Sequence, residues 1–267
     1  VQYFVKPCET KKMKIALIQT SLDWENPLEN RSHLSQKITG FMEDVDLIVL
    51  PEMFSSGFTM NPKAVAETMK GETISWLQHL AKAKNCAITG SLIIKEKGNF
   101  YNRLVFVFPD GKMQHYDKRH LFTLAGEDKI YTAGKEKLIV EYKGFKICPL
   151  VCYDLRFPVF ARNVENYDVL LYVANWPKVR TNAWDILLKA RAVENMCYTI
   201  GVNRVGVDGN NHEYIGHSQA IDFLGNYIIE PQETEGVFIV ELDKKKLDET
   251  RNKLAFLDDK DEFKLSC

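Results

Sequence analysis

Neither sign of charge dominates the 267-residue chain: 35 Lys and Arg stand against 36 Asp and Glu, a formal net charge of −1. It therefore lacks the basic footprint of a nucleic-acid partner. The longest basic run, Lys244-Lys245-Lys246, is followed at once by acids, the pattern of a solvated helix face. No apolar run reaches the roughly 18–20 residues needed to cross a bilayer, so no membrane partner is expected. Residues 1–12 hold no apolar stretch of signal-peptide length and are broken by Pro7; with Met13 as a natural start they read as an extension or a cloning remnant. The expectation is a soluble, cytoplasmic protein.

Cysteine is present but unpaired in pattern. Cys8, Cys86, Cys148, Cys152, Cys197 and Cys267 form no CxxC and have no histidines at zinc-finger spacing. Neither a structural metal nor a disulfide framework is indicated, and most of these thiols read as small core hydrophobes. His115, His120, His212 and His217 also lack metal spacing and read as structural or exposed. Low-complexity tracts, linkers and internal repeats are missing as well, which favours one domain over residues 13–267 with a C-terminal tail from about 243.

What is present is a series of short apolar runs at 14–19, 47–50, 87–94, 104–108, 145–151, 169–173, 198–202 and 218–223, with a further strand pair between 230 and 242. Several runs are continuous, as in strands covered on both faces. Helices fall between them: one begins at Pro27 behind an Asn26 N-cap, one spans 73–84, and one starts at Asn182. Pro109-Asp110-Gly111 reads as a hairpin turn. The fold class is α/β with mixed sheets.

Three reactive side chains stand where apolar runs stop. Pro51 ends a strand ladder and sends Glu52 out of the sheet end. Cys152 ends the 145–151 strand, with Pro158 suited to a following helix; such a strand-to-helix turn exposes a nucleophile near free N–H donors that favour a thiolate. Lys118 lies in a mixed cluster, His115-Tyr116-Asp117-Lys118-Arg119-His120, just past the Asp110-Gly111 turn. Taken singly, each has an ordinary reading: a loop acid, an inert core thiol, a surface lysine. A carboxylate base, an ammonium and a thiol together are what amide C–N hydrolysis through a thioester requires.

The segments Leu50-Pro51-Glu52-Met53-Phe54, Tyr116-Asp117-Lys118-Arg119-His120-Leu121-Phe122 and Val151-Cys152-Tyr153-Asp154-Leu155-Arg156-Phe157-Pro158 resemble, in order and separation, the nitrilase superfamily of carbon–nitrogen hydrolases. The resemblance covers roughly residues 13–242. It implies a four-layer α-β-β-α sandwich whose subunits pair into an eight-layer dimer. It also implies a Glu–Lys–Cys triad at Glu52, Lys118 and Cys152, with Glu127 as a second glutamate that positions substrate and lysine. Val173-Ala174-Asn175-Trp176-Pro177, Arg180 and Gly201-Val202-Asn203-Arg204 look like the bacterial omega-amidase branch, which cleaves the terminal amide of 2-oxoglutaramate and 2-oxosuccinamate.

On that resemblance Glu52 takes the Cys152 proton, and Lys118 with the Tyr153 backbone N–H holds the oxyanion. No metal or organic cofactor is required. Arg156 is the first candidate for the substrate carboxylate and Arg180 the second, since arginine's fork suits a carboxylate; Arg156 reads equally as a structural partner of Asp154. Phe122, Trp176 and Trp184 are candidates to wall the acyl chain or to join the core. Whether Lys118 stays charged is open, because flanking carboxylates and burial pull in opposite directions. The competing readings are an N-carbamoyl or small aliphatic amide hydrolase, a true nitrilase, and a catalytically silent binding module.

Overall fold

The computed structural model describes residues 11–265. Most of the expected extension, with Cys8, and Cys267 at the other end lie outside the described residues. In chain order the elements are β1 (Lys12–Gln19), α1 (Pro27–Gly40), β2 (Leu47–Val49), α2 (Pro62–Val65), α3 (Glu72–Lys84), β3 (Ala87–Glu96), β4 (Asn99–Val107) and β5 (Met113–Asp117). They continue with β6 (Val140–Tyr142), β7 (Phe145–Val151), α4 (Pro158–Ala161), β8 (Val169–Ala174), α5 (Thr181–Asn195) and β9 (Tyr198–Asn203). The last are β10 (Val205–Val207), β11 (Glu213–Ile215), β12 (Ser218–Ile221), β13 (Tyr227–Gln232), β14 (Gly236–Asp243) and α6 (Lys244–Leu254).

Two six-stranded sheets result, ordered β14-β1-β2-β3-β4-β5 and β13-β12-β9-β8-β7-β6. Each has three central parallel strands, β1-β2-β3 and β7-β8-β9, flanked by antiparallel neighbours. Strand alternation divides the core. Ile15, Leu17, Leu47 and Val49 face the second sheet, while Ala16, Ile18 and Ile48 meet Leu34 and Ile38 of α1 and Ile74 and Leu77 of α3. On the far side Trp184, Leu188 and Ala192 of α5 cover the second sheet. The layering is α-β-β-α, and both faces of each central strand are buried, which is why those runs are continuously apolar.

Local chemistry sets several boundaries as expected. The Asn26 side chain caps α1 by accepting the Glu29 N–H at 3.2 Å, and Pro158 opens α4. The hairpin between β4 and β5 turns at Gly111, whose φ of +82° suits glycine. Asn182 does not start α5: the helix begins at Thr181 behind Arg180, which offers no side-chain cap. The basic run is only partly a solvated face, because Lys244 pairs with buried Asp168 at 2.6 Å. With Arg251 on the same carboxylate and Leu247 buried, it docks α6 against the second sheet. No helix among the described residues is long and apolar enough to cross a membrane.

Candidate active site

Ligand sites in parallel sheets gather at the carboxyl ends of strands, and here the ends of β2, β7 and β8 deliver Glu52, Cys152 and Asn175. Pro51 lifts Glu52 out of the β2 ladder into a fully buried position. Asn175 fixes it there: its backbone N–H donates to Glu52 Oε2 at 2.8 Å, and its Nδ2 donates to the Glu52 carbonyl at 2.6 Å.

Lys118 follows the last residue of β5, where Arg103 anchors Asp117 through two hydrogen bonds of 2.7 and 2.8 Å. Residue 134 crosses close against this strand end. A Cβ on Gly134 would sit 2.0 Å from the Asp117 carbonyl oxygen, so only glycine fits. The Lys118 ammonium is buried, 2.9 Å from Glu52 Oε1 and 2.9 and 3.1 Å from the two carboxylate oxygens of Glu127. The Phe58 ring lies 5.3 Å from the same nitrogen. Glu127 is itself buried and accepts the Phe122 N–H at 2.6 Å.

This settles which influence governs Lys118. Burial lowers its proton affinity, but Glu127 and Glu52 outweigh burial and hold the ammonium charged well above the ordinary lysine range. Glu127 is raised by burial and by Glu52, and drawn back by Lys118.

Cys152 sits at the turn with φ +47°, a left-handed conformation that costs a non-glycine residue about 1–3 kcal/mol and recurs at functional sites. It begins a short 3₁₀ turn to Arg156, and the Tyr153 N–H lies in that first turn, where N–H groups have no intrahelical partner. The expected thiolate is not the resting form. Burial pushes the thiol well up, the nearby Glu52 carboxylate adds to it, and Lys118 offsets only part, so the neutral thiol is favoured at Cys152.

The turn is held from beneath by Asp154, a buried carboxylate that accepts four donors. They are Val151 N–H (3.0 Å), Tyr116 Oη (2.7 Å), His120 N–H (3.0 Å) and the His120 ring (2.7 Å). His120 is thus structural and stacks on Phe157 with ring centroids 3.7 Å apart. Asp154 ties the Cys152 turn to the loop after Lys118, and it leaves Arg156 without the structural partnership entertained for it.

Cys152 forms part of the floor of a cavity of about 530 Å³ walled by Phe58, Phe122, Trp176 and Tyr214. Arg156 and Arg180 also line it. Their guanidinium carbons lie 5.0 Å from the Trp176 ring and 5.2 Å from the Phe122 ring, and neither has an acidic partner among the described residues. Trp184 belongs to the core instead, fully buried with its ring centroid 5.4 Å from that of Trp176. Cys148, four residues before Cys152, is sealed in the core, as are Cys86 and Cys197.

Sequence reading passed over Asn102, Phe58 and Tyr214, and noted Asn175 only as part of a motif. Asn175 had a usable signal, a polar residue directly after the all-apolar β8, the same mark that singled out Glu52. Asn102 had a weaker one, an amide inside a strand whose next five residues are all buried.

Residues 14–252 match the carbon-nitrogen hydrolase family. The chain is 42% identical over 256 residues to the omega-amidase YafV of Yersinia enterocolitica, covering 95% of this chain and 98% of that protein. It is 32% identical over 253 residues to the 2-oxoglutaramate amidase of Bacillus subtilis, covering 93% and 97% respectively. A CN-hydrolase superfamily protein of Xanthomonas campestris, crystallised with an arsenic adduct in its active site, superposes with a TM-score of 0.93 at 44% identity, over 96% of this chain and 99% of that one.

Proposed function

The chain belongs to the carbon–nitrogen hydrolase family, and from that premise we propose that it releases ammonia from the terminal amide of a small 2-oxo dicarboxylic acid monoamide, 2-oxoglutaramate or 2-oxosuccinamate. The observation that carries the reading is the convergence of buried Glu52 and Lys118 behind Cys152, which lines a cavity shared with two arginines that have no acidic partner among the described residues.

In the proposed reaction the Cys152 sulfur attacks the amide carbon while its proton passes to Glu52. Because the resting thiol is neutral, transfer and attack go together. The C–S bond forms and the carbonyl electrons move to oxygen, held by Lys118 and the Tyr153 N–H. As the oxyanion collapses the C–N bond breaks, and Glu52 returns its proton to nitrogen, which leaves as ammonia. Glu52 then takes a proton from water, the hydroxyl adds to the thioester carbon, and the C–S bond breaks to give the acid while Glu52 returns that proton to sulfur and restores the thiol. Glu127 keeps Lys118 charged and in place. Arg156 and Arg180 take the far carboxylate, and Phe122 and Trp176 wall the carbon chain.

Ammonia release from 2-oxoglutaramate, 2-oxosuccinamate, glutaramate, an N-carbamoyl amino acid and a simple nitrile tests the assignment. The expected order puts the 2-oxo acid monoamides first. Absence of turnover with every ω-amide refutes it, and preference for the N-carbamoyl compound moves the substrate while keeping the chemistry.

The chain is proposed to act in the cytoplasm, where a thiol nucleophile stays reduced, and as a homodimer. Support for the dimer comes from Ile186 and Val193, seven residues apart on one face of α5 and about half exposed, and from Leu224 in the β12–β13 turn that abuts Val193. Light scattering should give twice the chain mass, and Ile186→Glu with Val193→Glu should halve it; an unchanged mass removes this face from the interface.

A further inference from the structure

Asn102 on β4 is almost fully buried, and nothing in the reaction above uses it. Its side-chain Nδ2 donates to Glu52 Oε1 at 2.8 Å and to Glu127 Oε1 at 3.2 Å, while its backbone carbonyl accepts the Lys118 N–H at 3.0 Å. Carboxylates only accept, so the NH₂ end of the amide must face them. That orientation leaves Asn102 Oδ1 buried without a hydrogen-bond partner, an unfavourable arrangement that persists only if the two donated bonds matter more.

We propose that Asn102 is a positioning residue: its NH₂ group, shared between Glu52 and Glu127, keeps both carboxylates ionised around Lys118, so that Glu52 is free to receive the thiol proton. The inference deepens the hydrolase reading and rests on it. Two carboxylates in contact with one buried ammonium oppose each other's ionisation, and a donor bonded to both charged forms relieves that opposition. Glu127 is the member more exposed to the conflict, since burial and Glu52 already raise it. Once protonated it would no longer fix Lys118 from two oxygens.

Two variants separate this role from simple packing. Asn102→Ala removes the donor, and Asn102→Asp keeps the shape but donates only while its own carboxyl is protonated. For each, kcat/KM toward the amide substrate is measured from about pH 4.5 to 9. The rate of iodoacetamide labelling at Cys152 is followed over the same range by mass spectrometry, which needs no substrate. In Asn102→Ala the acid limb of both profiles should move up by about one pH unit, with a loss of about ten- to a hundredfold below neutrality that narrows above it. In Asn102→Asp the alkaline limb should move down instead, leaving activity only on the acid side.

A uniform loss with unmoved limbs in both variants, or wild-type behaviour in either, overturns the proposal. If the wild-type protein hydrolyses no amide and the labelling profiles still shift in these opposite directions, the substrate reading falls and the role of Asn102 stands. If amide hydrolysis is found and neither profile moves, the role of Asn102 falls alone.

Discussion

Replacing Lys118 with alanine removes the counter-charge between two buried carboxylates, and it has two separable consequences. The first is kinetic. A charged donor that stabilises a developing oxyanion is worth about 10²–10³ in kcat, or about 2.7–4 kcal/mol, so Lys118→Ala should lose at least that much ammonia release. The second is thermodynamic. Glu52, Glu127 and Lys118 side chains are all 0% exposed, so solvent does not screen the loss, and leaving buried charge uncompensated costs about 3–5 kcal/mol. The pH dependence follows from the shifts. In the wild-type protein Lys118 has a folded value above its unfolded 10.5, so its contribution is complete below that pH and is lost only as pH rises through a strongly alkaline value. It is therefore flat from about pH 5 to 8. In the variant the two carboxylates face each other alone, and at least one binds its proton more tightly folded than unfolded. Such a group stabilises the fold below its unfolded value near 4.5 and loses that contribution as pH rises through the raised folded value. The Tm gap between wild type and variant should consequently widen from about pH 5 to about pH 8. Differential scanning fluorimetry and an ammonia assay on the same samples read both effects. A pH-independent Tm gap together with a kcat within tenfold of wild type would refute the reasoning.

Brief treatment with iodoacetamide should alkylate Cys152, which opens on the cavity beside Glu52, and leave fully buried Cys148 untouched; equal, slow labelling of both would favour a silent binding module. Arg156→Ala and Arg180→Ala should each raise KM for 2-oxoglutaramate about tenfold or more, the worth of a charge-assisted hydrogen bond. Their KM for an uncharged amide such as propionamide should hardly change. An equal rise for both amides would mean that neither arginine reads the carboxylate.

Strands buried on both faces announce themselves as unbroken apolar runs, and β7 falls on the expected residues while β1, β2, β3, β8, β9 and β12 each differ by one or two residues at one end. The short strands β5, β6, β10 and β11 were not legible. Met113–Asp117 exposes two of its five side chains and carries His115 and Asp117, so its composition is that of a loop. It is a strand because β4 offers it a ladder, a tertiary cause invisible in local pattern. The site divides in the same way. Glu52 and Cys152 are reactive residues directly beyond apolar runs, and such discontinuities can be seen. Asn102 is an amide within a strand, and only the spatial approach of Glu52 and Glu127, 50 and 25 residues away in the chain, shows what its NH₂ group meets. The state of Cys152 also escaped. Donors at the turn argue for a thiolate, but they are outweighed by desolvation and by a carboxylate exactly one hundred positions earlier in the chain.

That neutral thiol explains why one lysine is set between two glutamates. With Glu52 and Glu127 as carboxylates and Lys118 as an ammonium beside an uncharged thiol, the proposed resting cluster carries a net charge of −1. A thiolate would make it −2 in a buried site, which burial and Glu52 together prevent. In the proposed reaction, when the sulfur attacks the amide, Glu52 becomes neutral and the carbonyl oxygen becomes negative, so the net charge is again −1. Charge has moved from one side of the Lys118 ammonium to another without increasing. Low-dielectric surroundings penalise new charge far more than displaced charge, so the route through a neutral thiol is the less costly one. For that exchange Lys118 must stay protonated after Glu52 has lost its charge, and Glu127, bound through both oxygens at 2.9 and 3.1 Å, is the group that keeps it so. With a single Glu–Lys pair, the newly formed oxyanion alone would have to keep the ammonium charged.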